Sequence, residues 1–182
     1  DTKGLQLPYP FEHQHVDESA NFRAKFTYDV SEIRPQIAKP HSPDNVVPID
    51  ELIGTKIDAA FIGSCTNSRL EDLRSAAEVL RGQKLAVRLI IAPASKAVFD
   101  AALADGTIQT LTDAGAVFIT SGCGPCVGTH LGVPGDGETV ISSTNRNFQG
   151  RMGNPKSNIY LASPAVVAAA AVAGEIVDPE NI

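Results

Sequence analysis

Two short apolar runs, each spilling into a glycine-framed cysteine loop, constrain this chain more than any other feature. Ala59-Ala60-Phe61-Ile62 leads into Gly63-Ser64-Cys65-Thr66-Asn67-Ser68-Arg69. Ala116-Val117-Phe118-Ile119 leads into Thr120-Ser121-Gly122-Cys123-Gly124-Pro125-Cys126-Val127-Gly128-Thr129-His130. Runs of this length and apolarity read as buried strands, so the thiols sit where strands end. In open α/β sheets, ligands gather outside the carboxyl ends of the strands. The chain's three cysteines are therefore expected to converge on one edge of one sheet.

Length and composition narrow the classes. A chain of 182 residues can bury a core of its own, and one domain with a flanking segment is the default. Fifteen basic against 21 acidic residues leave a net charge of −6, which argues against nucleic acid as a partner. No apolar run is long enough to span a membrane as a helix. The chain starts at Asp1 with neither Met nor a signal-peptide pattern, so a fragment or processed piece of a longer protein is expected. An odd cysteine count with one close pair argues against a secreted disulfide framework. It points to metal or redox chemistry in a reducing compartment, the cytoplasm.

In chain order, residues 1–25 are polar and aperiodic and read as an irregular arm or the remnant of a preceding domain; 26–182 read as one α/β domain. The alternation at 26–30 predicts an edge strand. The prolines at 37–45 predict an extended, irregular crossing segment ending near Val46-Val47-Pro48. From 57 the rhythm turns regular. Strands are predicted at 57–62, 86–92, 116–120, 138–142 and 159–162. Helices are predicted at 69–81, from a Ser95 cap to 104, at 107–114, and from a Ser163 cap with Pro164 in the first turn to 173. Strands alternating with helices mean βαβ units, hence a three-layer, doubly wound, mostly parallel sheet.

The thiols admit several readings. Cys123-Gly124-Pro125-Cys126 is a thioredoxin-type dithiol sequence, although Gly122 stands where such motifs usually carry Trp. Cys65, Cys123, Cys126 and His130 number the four ligands of a structural zinc site. Three thiolates in glycine-rich turns also suit an iron–sulfur cluster with one iron left open as a Lewis acid. The bland reading is three thiols packed as small hydrophobes. The loop Ser142-Ser143-Thr144-Asn145-Arg146-Asn147-Phe148-Gln149-Gly150-Arg151 also follows a strand. Its two arginines, with Asn145 and Asn147, make a fork for carboxylates; alone they would read as a solvated surface loop. Beside a cysteine cluster they suit a small polycarboxylic acid.

Together these three stretches resemble the signature motifs of the aconitase superfamily. Ala38-Lys39-Pro40-His41-Ser42-Pro43-Asp44-Asn45-Val46 and Gly150-Arg151-Met152-Gly153-Asn154-Pro155 are similar to the 3-isopropylmalate dehydratase and homoaconitase large-subunit branch. The resemblance covers about residues 26–182. It implies the cluster-bearing, C-terminal domain of a hydro-lyase that dehydrates and rehydrates a small hydroxy-di- or tricarboxylic acid at a 4Fe–4S cluster. By position, Cys65, Cys123 and Cys126 would be the cluster ligands, and Asn145, Arg146 and Arg151 would face the substrate. The resemblance places the base on a swivelling domain or small subunit, and the groups protonating the leaving hydroxyl on earlier domains. No segment of this chain matches them, and His41 and His130 do not replace them. No catalytic acid or base is therefore expected here, and the chain alone is expected to be inactive, with its docking surfaces prone to self-association. The alternative from another class is a zinc- or dithiol-bearing α/β binding or redox module.

Overall fold

Period-two alternation in the strands and a wider apolar stripe in the helices build most of this computed structural model, which describes residues 15–182. The chain divides into two units, one ending at Ile33 and one running Arg34–Ile182. The second unit holds a seven-stranded sheet in the order β2-β1-β7-β6-β3-β4-β5. Its strands are β1 (Gln36–Ala38), β2 (Val46–Pro48), β3 (Ala59–Ile62), β4 (Arg88–Ile91), β5 (Val117–Phe118), β6 (Thr139–Ser142) and β7 (Asn158–Leu161). Strands β3 to β7 run parallel, and β1 lies antiparallel to both β2 and β7.

Four helices follow the expected positions. In α1 (Leu70–Leu80), Leu73, Ala76, Ala77 and Leu80 form the buried stripe, and the Asp72 carboxylate accepts the Arg69 N–H at 2.9 Å to close its first turn. Ser95 Oγ accepts the Val98 N–H of α2 (Lys96–Ala104) at 3.2 Å. The short α3 (Thr107–Ala114) buries Ile108, Leu111 and Ala114. In α4 (Pro164–Ala173) every residue from Val166 to Ala171 is buried. Small side chains let that helix approach β3 and α1 closely.

Alternation splits the core in two. Ala60, Ile62, Leu89, Ile91 and Ile141 face one side and pack against all four helices. Each fully buried Leu or Ile there contributes about 1.5–3 kcal/mol. Ala59, Phe61, Val140 and Ile159 face the other side, where Cys126 and Met152 cover them. The connections β3–α1–β4 and β4–α2–α3–β5 advance across the sheet, whereas β5 to β6 returns past β3 and β4. Right-handed crossovers running in opposite directions fall on opposite faces. The sheet is thus three-layered and doubly wound, with helices on one face and, on the other, loops and the 3-10 turn Gly124–Val127.

Two local expectations are corrected. Residues 26–30 form no strand: Phe26, Tyr28 and Val30 are exposed, the Phe26 and Tyr28 rings stack 6.4 Å apart, and Asp29 caps a 3-10 turn at Val30–Glu32. Alternation makes a strand only where a neighbouring ladder accepts it. Conversely, the proline-rich segment expected to be irregular contributes β1, paired with β2 in the register Gln36↔Pro48, Ile37↔Val47 and Ala38↔Val46. Pro40 and Pro43 fall in the connection, and Pro48 closes an edge strand, where its missing N–H breaks no ladder. Of the arm expected at 1–25, residues 1–14 lie outside the described residues.

Candidate metal centre

Just past β3, the ring of Phe61 lies over Gly63 so closely that an added Cβ would meet Cζ at 2.2 Å. The chain then turns through Ser64, which is buried at a φ of 78°, and leaves Cys65 exposed. Ser143, one residue beyond β6, holds this loop from both sides. Its hydroxyl accepts the Gly63 N–H at 3.1 Å and donates to the Asn67 carbonyl at 3.0 Å. The Asn67 side-chain amide donates back to the Ser143 carbonyl at 2.7 Å.

Beyond β5, the second cysteine loop winds into the 3-10 turn Gly124–Val127, where the Cys126 N–H donates to the Cys123 carbonyl at 2.9 Å. Cys123 is exposed and Cys126 buried. Gly128 ends the turn at a φ of 70°, and its Cα lies so near the next loop that an added Cβ would be 2.3 Å from Gly153 Cα. Only glycine fits at that contact. Close by, Arg151 Nε donates to the Cys126 carbonyl at 2.9 Å.

Burial pushes the Cys126 thiol above its ordinary pKa; the Arg151 hydrogen bond and charge pull it down, and the charges of Cys123 and Cys65 push it up. Cys65 follows β3, and Cys123 and Cys126 follow β5; both strands lie parallel to β4, so their carboxyl ends share one edge of the sheet. All three are free. Among the described residues, no group of three or more His, Cys, Asp or Glu side chains is gathered tightly enough to hold a metal ion. The donor set nonetheless fits an iron–sulfur cluster: three soft thiolate donors and no fourth, in turns whose glycines let backbone come close.

The sequence-predicted carboxylate fork is divided by the structure. Asn145 and Arg146 are exposed, and Arg151 is half-buried. Asn147, read as a fork member, is wholly buried, its side-chain amide donating to the carbonyls of Lys39 at 2.8 Å and Ile159 at 3.0 Å. It ties backbone together, because a buried amide must satisfy its donors locally. His41 bridges Phe148 through its backbone, and His130 is exposed. Sequence reasoning passed over Ser143 and Asn67. The only available signal was that each lies within two residues of a strand end or a cysteine. Thr120 and Ser121, ahead of Cys123, border a cavity of about 420 Å³ walled by Pro93, Phe99, Phe118 and Ile119.

Comparison with known proteins bears on this edge of the sheet. A model of the Aconitase family (aconitate hydratase) matches residues 50–174. The chain is 52% identical over 173 residues to the probable methanogen homoaconitase large subunit of Methanosarcina mazei, covering 95% of this chain and 44% of that protein. It is 53% identical over 165 residues to 3-isopropylmalate dehydratase large subunit 1 of Methanopyrus kandleri, covering 90% and 40%. It is 55% identical over 153 residues to the 3-isopropylmalate dehydratase large subunit of Thermococcus kodakarensis, covering 84% and 40%. The chain thus spans about two fifths of the length of these relatives. The solved holo form of Thermococcus kodakaraensis aconitase X aligns over 50% of this chain and 23% of that one at 25% identity, with a TM-score of 0.38, too low to bear on the fold.

Proposed function

The chain belongs to the aconitase family, and on that premise we propose that it is the cluster-bearing part of a hydro-lyase acting on a small hydroxy-di- or tricarboxylic acid of the 3-isopropylmalate type. The observation that supports this is that all three of the chain's thiols stand in loops that follow β3 and β5, parallel strands whose carboxyl ends share one edge of the sheet. Cys65, Cys123 and Cys126 would hold a 4Fe–4S cluster, which when bound supplies a Lewis acid through the iron that no thiolate occupies. Asn145 and Arg146 stand exposed beyond β6, where a substrate carboxylate can meet them. Arg151 uses Nε on the Cys126 carbonyl, and its remaining guanidinium donors suit a carboxylate as well.

A carbon-bound proton and a leaving hydroxyl each need a proton carrier, and Asn145, Arg146 and Arg151 supply neither. The relatives are named large subunits, so we assign the missing acid and base to further domains and to a small-subunit partner. No helix among the described residues is long and apolar enough to cross a membrane, and the free thiols fit a reducing, cytoplasmic setting. The relatives' named activity would place the whole enzyme in leucine-type amino-acid biosynthesis.

A second reading has one observation in its favour. An exposed Cys123 one turn ahead of a buried Cys126 is the arrangement a dithiol redox module would use. Anaerobic supply of iron and sulfide separates the two. Brown, iron- and sulfide-bearing protein that loses iron when Cys65 is changed to Ser is the expected result. A colourless product, binding zinc alone or only forming a Cys123–Cys126 disulfide, would overturn the cluster assignment.

A further inference from the structure

We propose that residues 143–153 are a brace that sets the separation of the two cysteine loops, with Ser143 and Arg151 as its positioning residues. The proposal rests on the cluster reading above, because a fixed separation matters to a group that several thiols must grip at once.

The brace is fastened at both ends and in the middle. At its first end the Ser143 N–H donates to the Phe61 carbonyl at 3.0 Å, and the reciprocal bonds with Gly63 and Asn67 clasp the Cys65 loop two residues either side of the thiol. At its far end Arg151 holds the Cys126 carbonyl, and Gly153 lies backbone to backbone against Gly128. Between the ends, Asn147 is anchored on the carbonyls of Lys39 and Ile159. Two turns, Arg151 N–H to Phe148 carbonyl at 2.8 Å and Gly153 N–H to Gly150 carbonyl at 2.9 Å, shorten the path.

Packing alone does not call for this chemistry. Ser143 is fully buried at the end of an apolar strand, a place where a small hydrophobe would fill the space without a hydroxyl to satisfy. The hydroxyl earns its place by accepting from one side of the Cys65 loop and donating to the other. Each cysteine loop is held to the brace by its own separate set of bonds, so cutting one end should loosen one loop alone.

Amide hydrogen exchange on the metal-free 182-residue chain tests this. Ser143→Ala is expected to speed exchange at residues 63–68 about tenfold or more, the effect of losing a buried hydrogen-bond partner. Exchange at 124–129 should stay unchanged. Arg151→Gln should do the reverse. If Ser143→Ala does not fold, Asn67→Ala cuts the same clasp from its less buried side. Leu111→Ala, on the helical face, should loosen both loops together. After loading with iron and sulfide, the two brace variants should release iron faster than Leu111→Ala of equal or lower thermal stability. A brace variant that loosens both loops equally, or neither, or that releases iron no faster than Leu111→Ala, would overturn the proposal. Failure of the unsubstituted chain to take up iron would overturn the cluster reading, while the exchange arms would still decide the brace.

Discussion

The two faces of one sheet are held by different physics. On the helical face, Leu, Ile and Ala interdigitate over a continuous apolar core, and almost any residue of similar size and hydrophobicity would serve. On the other face, a thin apolar layer around Phe61, Cys126 and Met152 is topped by loops. Those loops are located by a handful of hydrogen bonds and by one glycine–glycine contact. The first face is energetically deep and geometrically tolerant. The second is shallow and exact in shape.

Cutting into the helical face should cost the most. Leu80, the last residue of α1, is fully buried in the helical-face core, and Leu80→Ala is expected to destabilise the chain by about 2–5 kcal/mol. Urea titration should show one cooperative shift of the midpoint, equal in iron-loaded and metal-free protein. A shift confined to one of those two forms would mean the faces are not independent.

Gly128→Ala attacks the second face. Its Cβ would collide with backbone at 2.3 Å in a left-handed conformation, and backbone cannot step aside as a side-chain tip can. We expect a loss of about 1–3 kcal/mol, with iron content falling much further than that loss explains. Full iron loading in this variant would break the claim that shape governs this face.

Ser163→Ala removes the hydroxyl that accepts the Val166 N–H of α4 at 3.4 Å. The expected cost is about 1 kcal/mol, read as a small drop in Tm with iron uptake unchanged. Reduced iron uptake would show that α4 communicates with the loop face.

The smallest effect is a pH dependence confined to the helical face. The Thr107 side chain and N–H, then the Arg74 guanidinium, hold Asp105 down to about 2. A carboxylate with a lower pKa folded than unfolded stabilises the fold above its unfolded value of 3.8, and that share fades as pH falls towards about 2. Asp105→Asn should therefore flatten the decline of Tm between about pH 4 and 2. An unchanged slope would show that other carboxylates dominate there.

Much of the helical face was legible beforehand because its signals are local. The spacing of Leu70, Leu73, Ala77 and Leu80 marks α1, and Ser163-Pro164 marks the start of α4, with no knowledge of the rest of the chain. The strand ends ahead of the cysteines were legible because an apolar run followed by a glycine-rich turn marks its own carboxyl end. The carboxylate fork was less so. Asn147 looks like Asn145 in sequence, two positions away along the same loop, yet one is buried against carbonyls and the other exposed.

By itself, the sequence determined the period of most elements, the caps that bound them, and the position of each cysteine loop just past a strand of the parallel sheet. Each of these follows from residues a few positions apart. Only the tertiary structure decided that β1 and β2 pair at the sheet's edge, that loops rather than helices cover the second face, and that Ser143 clasps the Cys65 loop. The last of these depends on β6 lying beside β3, which brings Ser143 to Gly63 across 80 positions of chain. A hydroxyl's partner at that separation is chosen by strand order, and strand order is settled by how all the elements pack together rather than by any stretch of residues alone.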